Sequence, residues 1–442
     1  MNNLEKVRQV TLLSAAAVLW VGAALADLSD DIVPLPDDPA IEYATRPTYD
    51  PVSTLNAEIE AGNARLEFDS KQGYLRSVLE TLKIPIESQM AVFSKTSVQA
   101  SLINPQNPRT LFFNDSTVVG WVRGGFIEVA TESPSQGVIF YSLQQNPEEK
   151  PKFAREDRCL GCHDSYDALG VPGMLVRSNF TGPNAMTLRS LGSYNSDHRS
   201  PLEQRWGGWY VTGNSGSIRH MGNVMVADES HPESAVGPET LNLNSLKGKF
   251  DTDAYLSPYS DIVALMVFEH QMRMMNLFTR LGWQTRYALF ERDANKAARS
   301  RVRSSSLDFN QGPLGDTISE LVDYMLFVDE APLVNRIQGT SGFAETFSGE
   351  GPHDSKGRSL RQLDLQRRLM RYPCSYMIYS NAFDSLPSEA KEGVYSRMWQ
   401  ILSGKDKRAK YARLSLIDRQ AIIDILIETK KGLPEYFQRL AN

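Results

Sequence analysis

Cysteine is scarce: the 442 residues contain three, too few for a disulfide framework, so the position of each one carries the information. Basic blocks are absent too. Lys plus Arg number 47 against 53 Asp plus Glu, a formal charge of −6 with no cationic run to neutralise a phosphate backbone, which argues against a nucleic-acid partner. Beyond the N-terminus no stretch is apolar enough to span a bilayer; the best candidate, Ile262 to Phe268, is cut short by Glu269 and His270. No segment recurs at a fixed period, which excludes solenoids and propellers. With 41% hydrophobic, 23% charged and 9% aromatic residues, collagenous, coiled-coil and largely disordered chains are excluded as well. An ordinary packed globule remains, long enough for two or three domains.

The first residues read as an address. Lys6 and Arg8 precede an apolar stretch from Val10 to Leu25, and Ala24-Leu25-Ala26 supplies the small-x-small pattern of a signal-peptidase site. We expect cleavage after Ala26 and an exported, periplasmic chain without a transmembrane segment. An uncleaved anchor is the alternative, but the apolar run is shorter than the about 20 residues a span requires.

The mature chain changes texture along its length. Residues 27–60 form a segment rich in Pro and acids, expected to be an extended tether or strap. Residues 61–150 combine a short amphipathic helix, with Leu75, Val78, Leu79 and Leu82 on one face, and antiparallel strands at 111–113, 118–122, 126–130 and 138–141. Residues 151–255 hold the chemical motif and a glycine-rich, strand-like stretch from Gly207 to Val226. Residues 256–442 read as helical, with helices expected at 261–280, 317–328, 360–370, 389–403 and 416–431. The fold class is α+β: a β-rich N-terminal half joined to a predominantly helical C-terminal half.

Nearly all the chemistry sits in Cys159-Leu160-Gly161-Cys162-His163. In a C-x-x-C-H sequence two thiols add to the vinyl groups of one haem and the next residue ligates its iron. Two intervening residues let both sulfurs reach neighbouring vinyls, and the imidazole is carried under the ring. Covalent haem attachment belongs to the oxidising, exported side, so the motif and the leader are independent signals that agree. Two other readings stay open: a redox dithiol, or half of a zinc site formed with His163. Cys374 reads as a buried, small apolar residue.

On these residues the chain resembles the c-type cytochromes, over some 30 residues around the motif. The resemblance implies one covalently attached haem c, a short helix leading into the motif, and a following loop whose proline carbonyl orients the ligating histidine; Pro151 to Arg158 and Gly170-Val171-Pro172-Gly173 stand at those places. It implies Cys159 and Cys162 as the thioether attachment points of the haem and His163 as the proximal iron ligand. The usual Met-Pro ligand loop is missing, which leaves the sixth ligand open. His220, beside a glycine-rich turn in Arg219-His220-Met221-Gly222, is the first choice, with Arg219 placed to meet a haem propionate. His270, Met174 and Met221 are alternatives, and so is an open face.

A haem c needs about 80 to 120 residues to bury it, so most of this chain builds something else. The favoured function is a monohaem cytochrome passing single electrons to or from a periplasmic redox partner. The alternatives are a haem-dependent oxidoreductase using an open face for peroxide or oxygen chemistry, and a haem-based binding or sensor protein. No catalytic acid or base stands out by spacing.

Overall fold

The structure, a computed structural model, describes residues 33–297 and 311–438. The leader expected at 1–26 lies outside these residues. Short apolar runs separated by turn residues fold into a seven-stranded antiparallel sheet. In chain order its strands are β1 (Met90–Val92), β2 (Arg109–Phe113), β3 (Thr117–Trp121), β4 (Ile127–Ser133), β5 (Gly137–Leu143) and β6 (Phe153–Arg155). Strands β2 to β5 form a meander, with Thr110 opposite Trp121, Val118 opposite Ala130 and Thr131 opposite Ile139. Later strands are β7 (Asp164–Ser165), β8 (Val171–Pro172), β9 (Arg177–Asn179), β10 (Ser193–Asn195) and β11 (Trp209–Tyr210), and β11 joins the sheet edge beside β1. Both faces of the sheet are covered. Met90, Leu111, Phe113, Val138 and Phe140 pack toward the helical half, and Phe112, Val119, Val129, Ile139 and Tyr141 pack the other way. That is why the strands read as continuous apolar runs instead of alternating with polar residues.

The helices are α1 (Pro51–Ala61), α2 (Leu75–Thr81), α3 (Leu160–His163), α4 (Ile262–Ala297), α5 (Gly312–Met325), α6 (Phe343–Gly349), α7 (Asn381–Asp384), α8 (Ser388–Leu402) and α9 (Leu416–Thr429). Helix α1 corrects the expectation of an extended segment through residue 60. Pro51 occupies the first turn, where its missing N–H costs nothing, and the Asp50 carboxylate accepts the amides of Val52 and Ser53 while Ser53 returns a bond to the Asp50 backbone. The preceding strap is docked through Ile41 and Tyr43, whose hydroxyl donates to the Val138 carbonyl at 2.8 Å.

Three other expectations change. Residues 360–370 are not helical: the Asp364 carboxylate caps the amides of Gln366 and Arg367, Leu365 takes φ 57°, and Leu363 bridges back to Met370. Such local side-chain bonding competes with a helix. Helix α5 begins at Gly312, upstream of the expected cap at Thr317. In the glycine-rich stretch only Trp209–Tyr210 is strand, and a Cβ on Gly207 would collide with the Asn179 carbonyl, so the close approach is backbone to backbone.

Helix α4 is the spine. Asp261, fully buried, caps it through Oδ1 to the amides of Val263 and Ala264, while its Oδ2 accepts the amides of Thr340 and Ser341. From there the helix passes under the sheet and the segments carrying the motif. Among the described residues no helix is long and apolar enough to cross a membrane.

Candidate functional site

The motif follows directly from the sheet edge. Phe153 pairs with Leu143 and is buried, so residues 153–155 are held as strand where the family resemblance implied a helix. The chain then makes a tight turn over Asp157–Cys159 and runs into the single turn of α3, with Cys159 at its N-cap and Cys162 and His163 at its end. Both cysteines are free thiols, Cys159 partly buried against the core and Cys162 exposed.

After His163 the chain forms a two-stranded hairpin, with Asp164 opposite Pro172 and Ser165 opposite Val171. Its turn places Leu169 and Gly170 in succession at φ 66° and 71°. The hairpin brings Gly173 back beside His163: the Gly173 amide donates to the His163 carbonyl at 2.9 Å, and His163 Nδ1 lies 2.8 Å from the Gly173 carbonyl oxygen. A carbonyl only accepts, so Nδ1 carries the proton and Nε2 presents a lone pair. The orienting carbonyl thus belongs to the residue after Pro172, one position beyond the expected one. Phe140 flanks the imidazole at a centroid distance of 4.8 Å, and burial holds the His163 pKa below its ordinary value.

Helix α4 fixes the return of the hairpin. The Asn276 Oδ1 accepts the Met174 amide at 2.9 Å and its Nδ2 donates to the Met174 carbonyl at 2.8 Å. A Cβ at Gly173 would run into the Asn276 side chain. Nothing in the sequence marks Asn276, since its partner lies 102 residues away. Phe140, Arg109 and Glu128 likewise carry no signal of their own.

Charges ring the motif. Arg109 pairs with Glu128 at 2.7 Å, Arg158 with Glu156 at 2.8 Å, and Arg177 with Asp167. Arg158 also lies over the Phe126 ring, 5.6 Å from its centroid. Burial, then Glu128 and Glu156, push the Cys159 thiol up to about 11. A redox dithiol needs a stabilised thiolate, and this environment does the reverse. Among the described residues no three His, Cys, Asp or Glu side chains converge as a metal-binding group, so the zinc reading lacks a donor set. Haem c makes a different demand, one that the motif meets: two unpaired sulfurs close in sequence and a single imidazole with its outward nitrogen free.

Among the described residues none of the remaining candidates hydrogen-bonds to the side chains of Cys159, Cys162 or His163. His270 is fully buried on α4 with both ring nitrogens engaged, Nδ1 with His198 Nδ1 at 2.8 Å and Nε2 with Ser375 Oγ at 2.7 Å. Tyr324 and Phe327 stack on the pair. Here the inward-facing histidine on an apolar helix has found hydrogen-bond partners. His220 and Arg219 share a cavity with Met221. The Gly222 amide donates to His220 Nδ1 at 3.1 Å, so in the neutral ring the proton sits on Nε2. This tautomer is the opposite of the one a metal-ligating Nε2 requires. Met221 Sδ is 3.6 Å from Ser178 Oγ, and Met174 begins behind the imidazole, on its Nδ1 side. Met272, Met274 and Met275 are core, as are Trp121, Trp206 and Trp209. Cys374 is fully buried, and burial raises its thiol to about 12. No protein-family model, no curated protein and no solved structure matches the chain.

Proposed function

We propose that the protein is an exported monohaem c-type cytochrome that passes single electrons to or from a redox partner. Cys159 and Cys162 tether the haem by thioethers and His163 binds the iron through Nε2. The observation that carries this reading is the fixed tautomer of His163: its Nδ1–H is committed to the Gly173 carbonyl at 2.8 Å, leaving the outward nitrogen unprotonated. When bound, the haem supplies a one-electron couple. The chain's own part is to hold the imidazole, to exclude water with Phe140, and to set charge around the macrocycle through Arg109, Arg158 and Arg177.

The direct test is mass spectrometry and a pyridine haemochrome spectrum of the exported protein. A mass increased by one haem and a haem c spectrum are expected, both lost in Cys159→Ser/Cys162→Ser. A bare polypeptide mass overturns the reading. The His163→Ala variant keeps the covalent haem and loses normal ligation.

One observation favours a second reading, a haem-dependent oxidoreductase or gas-binding protein with an open iron face. His270 has both ring nitrogens engaged, with His198 and Ser375, and His220 holds its proton on Nε2, so neither of these two candidates offers a ready lone pair to the iron. Carbon monoxide binding to the reduced protein decides between the two: rapid binding supports the open face, and six-coordinate low-spin iron closed to the gas supports the relay.

A further inference from the structure

The cavity that holds Arg219 and His220 measures about 350 Å³, within the range of small-molecule sites, and lies between β9, β10 and the 219–236 segment. Phe180, Met221, Val224 and Val226 give it apolar walls. Two of its buried lining residues, Asn179 and His220, offer donors. Asn179 is 2% exposed, lines the cavity, and its Nδ2 has no hydrogen-bond partner. His220 is equally buried and, with Nδ1 accepting from Gly222, has Nε2–H as its free donor. Arg219 lines the same space, steadied by the Val236 carbonyl at 2.8 Å. Its guanidinium has no carboxylate within ion-pair distance among the described residues.

A buried amide N–H without an acceptor is costly, and native proteins seldom leave one unless something supplies the partner. Glu203 and Glu233 also line the cavity but are exposed, so that water screens their charges from the buried donors. Two buried donors, one cation and apolar walls select a singly charged oxyanion on a hydrophobic body. We propose that this cavity binds a small monocarboxylate with an apolar or aromatic body, its oxygens accepting from Asn179 Nδ2 and His220 Nε2–H, with Arg219 supplying the opposite charge. The site adjoins the motif through β9: Arg177 pairs with Asp167 of the motif hairpin, and Asn179 stands two residues, about 7 Å, further along the strand. The site does not require a haem to exist.

Calorimetric titration of the full chain with sodium benzoate tests it, with benzylamine and neutral benzamide as probes of matched shape. Benzoate should bind at one site, benzamide at least ~10-fold more weakly, and benzylamine not at all. Arg219→Met changes an exposed position, keeps the fold, and should weaken benzoate by ~10-fold or more, as should Asn179→Leu. The proposal falls if benzoate shows no binding up to ~10 mM, if benzylamine binds as well, or if Arg219→Met leaves the affinity unchanged. Because heat of binding is read without the iron, failure here is distinguishable from failure of the haem assignment.

Discussion

If the proposed haem c is bound, replacing Asn276 by alanine should move its potential upward, although the bonds of Asn276 go to the Met174 backbone and not to His163. The Asn276 side chain makes two bonds to the Met174 backbone, at 2.9 and 2.8 Å, and thereby sets the Gly173 carbonyl against His163 Nδ1. A carbonyl accepting from Nδ1–H makes the imidazole a stronger donor and favours ferric iron. Taking a net hydrogen bond as about 0.5–1.5 kcal/mol, and about 59 mV per 1.4 kcal/mol for one electron, loosening that contact should raise the potential by roughly 20 to 60 mV. The same change leaves two backbone groups of Met174 without partners, costing about 1–3 kcal/mol and, in a chain this long, only about 1–4 °C in Tm. Spectroelectrochemical titration beside a thermal melt reads both. If Tm drops while the potential stays within about 10 mV of wild type, the anchor is structural only and the chain of reasoning from α4 to the imidazole is refuted.

Glu132 is held at a pKa of about 8 by burial and by Asp115, so the native state keeps a proton that the unfolded chain releases from about 4.5 upward. Stability therefore falls as pH rises through that window, and Glu132→Gln should gain about 2 to 4 kcal/mol at pH 7.5 and almost nothing at pH 4.5 in urea titrations. Burial lowers His220 to about 4 and His270 to about 3, below the ordinary 6.5, so the unfolded chain binds more protons in acid. Stability is expected to fall as pH drops from 6.5 toward 4, by up to about 1.4 kcal/mol per pH unit for each ring, and His270→Gln should blunt that slope; an unchanged slope would count against a neutral buried pair. Arg205 and Glu269 form a fully buried ion pair at 2.9 Å, and Arg205→Met, which strands the carboxylate, should cost about 3–5 kcal/mol by equilibrium unfolding.

Features written locally were legible in the sequence. The helical stretches now bounded at Ser388–Leu402 and Leu416–Thr429 fall within two residues of their expected bounds, the last stopped by Gly432 and Pro434, and the α+β order of β-rich and helical halves follows from texture alone. Cys159, Cys162 and His163 stood out because the haem-attachment pattern they resemble is contained in five adjacent residues. Helix α1 was hidden because prolines and acids mask a start in which Pro51 and Asp50 are the ideal cap. Residues 360–370 misled because their apolar spacing is overridden by the Asp364 turn. Asn276, Phe140 and the His198–His270 pair were out of reach, since each acquires its role only when segments distant in sequence are packed together.

The anchoring of the motif hairpin by α4 also orders events in time. A polypeptide delivered N-terminus first exposes Cys159 and Cys162 while Asn276, which clasps Met174 from 102 residues downstream, is still being delivered. The thiols are thus open to modification before the segment that immobilises the imidazole has arrived. On the proposed haem c reading, maturation would divide into an early covalent stage at the two thiols and a late tightening stage that depends on the helical half.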